Sequence, residues 1–139
     1  MNRLALAVLV LGACGDRRAP IASCDDDLRG TWVTDRGARW MMLDNGATLE
    51  AYPMFDDTVP DGAPRVVDLR RGEKLQGEVK RRYMAGSALC EATAPIRIAK
   101  CKASGLQVVV ADPPAPLALT PACAWPGPTA SRVEHWRRE

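Results

Sequence analysis

Residues 75–84 constrain the fold of this chain more than any other stretch. Leu75, Gly77, Val79, Arg81 and Tyr83 alternate with Gln76, Glu78, Lys80, Arg82 and Met84. A period of two sends the odd set to one face of a strand and the even set to the other, with Arg81 breaking the apolar face and so belonging near a rim. The same texture runs on both sides. Alternating runs at 31–35, 38–43 and 47–52 are separated by Arg36-Gly37 and by Asp44-Asn45-Gly46, and an Asn-Gly pair between alternating runs is a strong hairpin signal. A loop over 53–64, rich in Pro and Asp, precedes runs at 65–71, 75–84, 88–101, 106–111 and 132–138, with a Pro-rich loop over 112–131. Pro95 inside the sixth run marks an edge or a bulge there. No segment downstream of residue 28 demands a helix longer than a turn. About eight short antiparallel strands predict an all-β domain over residues 28–139, which suits a small up-and-down barrel or a closely related sandwich, the barrel being preferred because closure removes exposed edges.

The amino terminus has a different logic. Arg3 precedes the apolar run Leu4–Leu11, and Gly12-Ala13 leads directly into Cys14, the n-region, h-region and small-residue layout of a secretory signal. Eight apolar residues rise only about 12 Å as a helix, against a hydrocarbon core of about 30 Å, so the run is too short to span. Leu11-Gly12-Ala13-Cys14 resembles the lipobox of bacterial lipoproteins. That resemblance implies cleavage after residue 13, acylation of Cys14, and a lipidated tether over residues 14–27. Gly15, not Asp, follows the cysteine, which by the same resemblance points to the outer membrane, facing the periplasm, as the place of anchorage.

A second resemblance lies at the start of the first strand. Gly30-x-Trp32 is similar to the Gly-x-Trp that opens lipocalin barrels. It implies a lipocalin-like domain in which Trp32 packs across the closed end beneath an arginine of the last strand, where Arg137 and Arg138 lie nearer that end than Arg132.

Apart from Cys14, four cysteines remain, Cys24, Cys90, Cys101 and Cys123. An even count in an exported chain reads as two disulfides, and three connectivities are open. Strand parity selects among them. If eight strands alternate up and down, Cys24 and Cys101 share the lower end while Cys90 and Cys123 share the upper. Partners whose Cα atoms lie more than about 7 Å apart do not bridge, so Cys24–Cys101 and Cys90–Cys123 are the expected pairs. Zinc is disfavoured, since there is no C-x-x-C and the only histidine, His135, is remote from every cysteine.

The whole chain carries a formal charge of only +2, but its halves differ. Between Cys24 and Asp61 nine acids stand against three bases, and between Arg65 and Lys102 ten bases against four acids; such polarity would orient the domain on a charged surface, but complementary charge across neighbouring strands is the favoured reading. Export disfavours a nucleic-acid partner for the basic Lys80-Arg81-Arg82 run beside Tyr83, and anionic lipid or lipopolysaccharide headgroups are the local substitute. Asp25-Asp26-Asp27 and Asp56-Asp57 lack the ligand spacing of a calcium loop and read as solvated loop carboxylates.

No constellation supports catalysis, and no motif implies a cofactor. Glu134 and His135 are neighbours on a strand and so point to opposite faces, and Ser23, Ser87, Ser104 and Ser131 lie in tether or turns without an elbow motif. By alternation Trp32 and Trp40 share an interior with Leu49, Val79 and Tyr83, the residues that would either fill the core or line an apolar cavity. A shallow eight-strand barrel is just wide enough to pack solid, so a filled core is the expectation. Two functions follow. One is a non-enzymatic binding module, anchored to the membrane by its lipid, for a small apolar ligand or an envelope component. The alternative is a protein-interaction module. Residues 83–88, Tyr-Met-Ala-Gly-Ser-Ala, resemble the Ser-Gly-Ser-Ala-containing loop of the membrane-bound lysozyme inhibitors. An open cavity of several hundred Å³ would favour the first, a filled barrel with a protruding 83–88 loop the second.

Overall fold

The computed structural model describes residues 18–55, 61–85, 87–112 and 130–139. They form eight antiparallel strands: β1 (Gly30–Thr34), β2 (Arg39–Asp44), β3 (Thr48–Met54), β4 (Pro64–Arg70), β5 (Leu75–Ala85), β6 (Ala88–Lys102), β7 (Gly105–Asp112) and β8 (Ala130–Arg138). Each pairs with its sequence neighbour, and β1 pairs with β8 through Trp32–Arg138, Val33–Arg137 and Thr34–Trp136 to close the barrel. The predicted up-and-down barrel is present, with strand limits within two residues of those expected. Among the described residues there is no helix.

Alternation drives this arrangement. In β2 the exposed Arg39, Met41 and Leu43 alternate with buried Trp40, Met42 and Asp44. Gly46 takes a left-handed conformation, φ 85°, in the β2–β3 turn, which Asn-Gly supplies without steric cost. On β5 the glycine at position 77 serves a close approach instead, since a Cβ there would lie 1.8 Å from the Asp68 carbonyl oxygen of β4. Ion pairs cross neighbouring strands inside the base-rich segment, Lys80–Asp68 at 2.8 Å and Arg82–Glu91 at 3.5 Å, and one pair, Arg71–Asp44 at 2.6 Å, links the acid-rich segment to the base-rich one.

Strand β6 departs from simple alternation. Cys90, Ala92, Ala94, Ile96 and Ile98 are buried in turn, then a bulge between Ile98 and Lys100 exposes two consecutive residues and returns Cys101 to the interior. One extra residue shifts the phase of the strand. The bulge thus falls beyond Pro95, not at it. Pro95 is paired with Glu78 of β5, and the β6–β7 register begins one residue later, at Ile96–Val110. Its missing N–H therefore falls where the strand has a local edge, the other half of the expectation.

The lower end is sealed by chain that precedes β1. Ile21 and Leu28 belong to the core, and Cys24 is bonded to Cys101 with Cα atoms 5.1 Å apart. The segment assigned to the tether is therefore docked from Ile21 onward, because one apolar side chain and one disulfide outweigh its polar composition. The expected Cys24–Cys101 pair is present. Cys90 is fully buried and disulfide-bonded, whereas Cys123, its expected partner, lies outside the described residues.

Two further contacts hold this seal. Trp32 is fully buried, donates from Nε1 to the Leu28 carbonyl at 2.9 Å, and lies under the Arg138 guanidinium, 5.1 Å from the ring centroid. Arg138 also donates to the Asp27 carbonyl at 2.6 Å. Beside them Arg71 grips both carboxylate oxygens of Asp44, at 2.6 and 2.7 Å, and donates to the carbonyls of Cys24 and Asp26 at 3.0 and 2.8 Å. Asp44 in turn accepts from the N–H groups of Leu28 and Gly46, each at 2.9 Å. Burial alone would raise the Asp44 pKa, but the Arg71 fork and the two N–H donors outweigh it and bring it down to about 2.

Trp32→Ala is expected to destabilise the domain by about 3–5 kcal/mol, as for other large buried aromatics, read from urea unfolding; a loss within the range of surface substitutions would contradict its place in the seal. The Asp44 carboxyl, depressed in the folded state from 3.8 to about 2, contributes stability that is present in full above about pH 4 and lost as the pH falls toward about 2. That contribution is roughly 2 kcal/mol, and Asp44→Asn should remove it from the acid limb of a pH–stability curve. An unchanged acid limb would contradict the assignment.

Candidate functional site

The upper end of the barrel is built differently. Inward residues continue up each strand, but there they become Thr34, Arg81, Arg132 and Glu134 in place of aliphatic side chains. They surround a cavity of about 280 Å³. Its walls are the core residues Val67, Val79, Ile96 and Val110, and Trp40 and Trp136 lie stacked beside them with centroids 5.2 Å apart and planes 20° from parallel. Met54, Phe55 and Pro64 also line it.

The polar groups of the rim hold one another in place. Trp136 donates from Nε1 to Glu134 Oε2 at 2.8 Å, and Arg132 pairs with Glu134 Oε1. Glu134 is therefore a buried carboxylate satisfied from two sides. Arg81 is buried at 7% exposure, with Nη1 3.4 Å from the Gly62 carbonyl oxygen. Thr34 turns its hydroxyl to the N–H groups of Arg36 and Ala38, at 3.3 and 3.1 Å, fixing the β1–β2 turn at the mouth. His135 projects outward from the opposite face of β8 and is exposed.

The five residues singled out in the sequence are all buried, but they do not form one site. Trp40 and Val79 line the cavity. Trp32 and Leu49 belong to the packed core away from it, Trp32 at the lower end. Tyr83 sits above the barrel on β5, its ring against Gly62. The expected filled core is thus only part of the interior. Cys14 lies outside the described residues. Alternation places Arg81 near the rim, where it is, but Arg132, weighed only for the closed end, Glu134, weighed only as a neighbour of His135, and Trp136 also line the cavity. On β8 their shared parity is legible in the sequence, but two charges interrupt the apolar pattern by which an inward row is recognised.

The hairpin of β5 and β6 continues past the barrel. The last β4 partner of β5 is Arg81, whereas β5 and β6 pair on to Ala85–Ala88. The turn at residues 61–62 braces it, Gly62 N–H donating to the Arg82 carbonyl at 2.8 Å and Asp61 accepting from Met84 N–H at 2.9 Å. Met84 and Leu89, cross-strand partners, are 54% and 62% exposed near its tip. No group of His, Cys, Asp and Glu suited to a metal ion occurs among the described residues. No family model, curated protein or solved structure matches the chain.

Proposed function

We propose that this protein is a lipid-anchored, non-catalytic binding module of the bacterial cell envelope that takes a small apolar molecule into the open end of its barrel. The observation that carries the binding half is the cavity of about 280 Å³, close to the lower limit of small-molecule sites and walled by two tryptophans and four branched aliphatic residues. It suits a single ring system or a short acyl chain. The resemblance of Leu11-Gly12-Ala13-Cys14 to a lipobox supports the anchor, and the residue after Cys14 supports the outer membrane.

The two halves fit together. Ile21 is held in the core, and the seven residues back to Cys14 reach at most about 25 Å. Such a short tether keeps the sealed end toward the bilayer and leaves the mouth facing the periplasm. A second reading has its own observation, the projecting hairpin with Met84 and Leu89 at its tip, which suits the insertion of a loop into a protein target as in the lysozyme inhibitors it resembles.

Filling the cavity separates the two. The wild-type domain is expected to bind the neutral fluorophore N-phenylnaphthylamine with quenching of tryptophan emission, and Val110→Phe to abolish binding while the circular dichroism melt stays cooperative. Wild-type protein that binds no such probe but inhibits lysozyme, equally well with Val110→Phe, would replace the binding reading with the second. For the anchor, labelled palmitate should enter the full-length protein expressed in a Gram-negative host and be lost in Cys14→Ala. An unlabelled wild type would remove the anchor from the proposal.

A further inference from the structure

A groove opens at the sealed end, between residues 18–21, the start of β1, the end of β2 and the end of β8. Two kinds of side chain meet in it. Met41 and Leu43 point outward from β2 and are 44% and 41% exposed. Around them stand Arg18, Arg29, Arg137 and Arg138, the first three exposed. Arg18 and Arg138 donate to backbone carbonyls, those of Arg29 and Asp27, and such bonds leave both charges in place. Burial and the neighbouring Arg18 charge hold Arg138 below its ordinary pKa, against the pull of Asp27. The acidic groups are engaged or lie to one side. Glu139, the one acidic residue among the described lining of the groove, pairs with Arg39, and Asp27 meets Arg29 only at 3.9 Å, both exposed. Asp25, Asp26 and Asp27 border a separate depression beside Asp44 and Arg71.

The chain enters this groove from the side of the anchor. Arg18 follows Cys14 by four residues, a span of at most about 14 Å. Resting on the anchor reading above, we infer that the groove is a membrane-contact face that seats the barrel on a bilayer carrying anionic phospholipid, with Met41 and Leu43 at the headgroup boundary and the arginines on the phosphates. Apolar side chains ringed by cations compose a surface that lies on an interface, held by buried apolar area together with attraction to anionic lipid. Arginine suits the position, since its planar fork meets phosphate oxygens two at a time. The acyl chains then supply the anchorage, and the groove fixes the tilt of the barrel by turning the side of Asp25, Asp26 and Asp27 away from the bilayer.

Methionine oxidation tests this on the full-length lipidated protein. The protein is reconstituted in phosphatidylcholine vesicles with and without phosphatidylglycerol, recovered by flotation and treated with hydrogen peroxide. Met84, 54% exposed on the hairpin at the other end, is the internal reference. Oxidation of Met41 relative to Met84 is expected to fall at least about fivefold when phosphatidylglycerol is present, and to recover as salt is raised. Arg137→Gln and Leu43→Glu, both at exposed outward positions, should each restore about half or more of the lost oxidation, since one removes a cation and the other sets an anion against the headgroups. A Met41-to-Met84 ratio that is the same in both vesicles, or that falls equally in the wild type and in both variants, would overturn the contact face and leave the anchor standing. Protein that floats with neither vesicle would remove the anchor, and this face with it.

Discussion

The two-pronged contact between Arg71 and Asp44 is the interaction on which the rest of the structure depends. A barrel of eight short strands has two open ends, and its core stays dry only where something covers them. Here the cover is the chain ahead of β1, which has little apolar surface of its own beyond Ile21 and Leu28. Arg71 compensates by reaching from the end of β4 to the carbonyls of Cys24 and Asp26 while its charge is met by Asp44. Burying such a pair is costly unless every donor and lone pair finds a partner. The Leu28 and Gly46 N–H groups supply the remaining ones, which explains why the Asp44 carboxyl remains ionised to such low pH.

With the lower end sealed, the other end is left with different work. The inward rows that carry Trp32, Met42 and Leu106 below carry Arg81, Arg132 and Glu134 above. Charged side chains cannot be packed against one another as densely as aliphatic ones without losing their hydrogen bonds, so they line the walls and do not fill the space between them. The stacked pair Trp40–Trp136 stiffens the site, since Glu134 fixes the Trp136 ring through its indole N–H. A sealed lower end and a cavity higher in the barrel thus follow from the same alternation carrying different residues.

Much of this was legible in the chain. Period-two alternation located every strand, and strand parity paired Cys24 with Cys101, because both depend only on local geometry and an even number of reversals. The Gly30-x-Trp32 resemblance implied an arginine of the last strand over Trp32, and Arg138 takes that place. What was hidden depends on contacts distant in sequence. Arg71 ends a strand and Asp44 opens a turn, so each has a sufficient local explanation that masks a bond spanning 27 residues. Ile21 is a single apolar residue in a polar stretch, and periodicity has no purchase on one residue. Cys101 reaches the interior only because the bulge between Ile98 and Lys100 shifts the strand by one, and nothing in the local composition marks the bulge.

The cavity was hidden for a more general reason. Patterns of apolar residues reveal what is buried by the hydrophobic effect, and a polar residue on an inward row reads as a defect in the pattern. In a barrel the defects gather at the same height, since adjacent strands are in register: Glu134 lies beside Val108, Arg132 beside Val110, and Arg81 beside Pro64 at the β4 bulge. Three separate irregularities in two strands are one feature in three dimensions. Registering the strands first, and only then asking where their polar inward residues coincide, turns those irregularities into the location of a site.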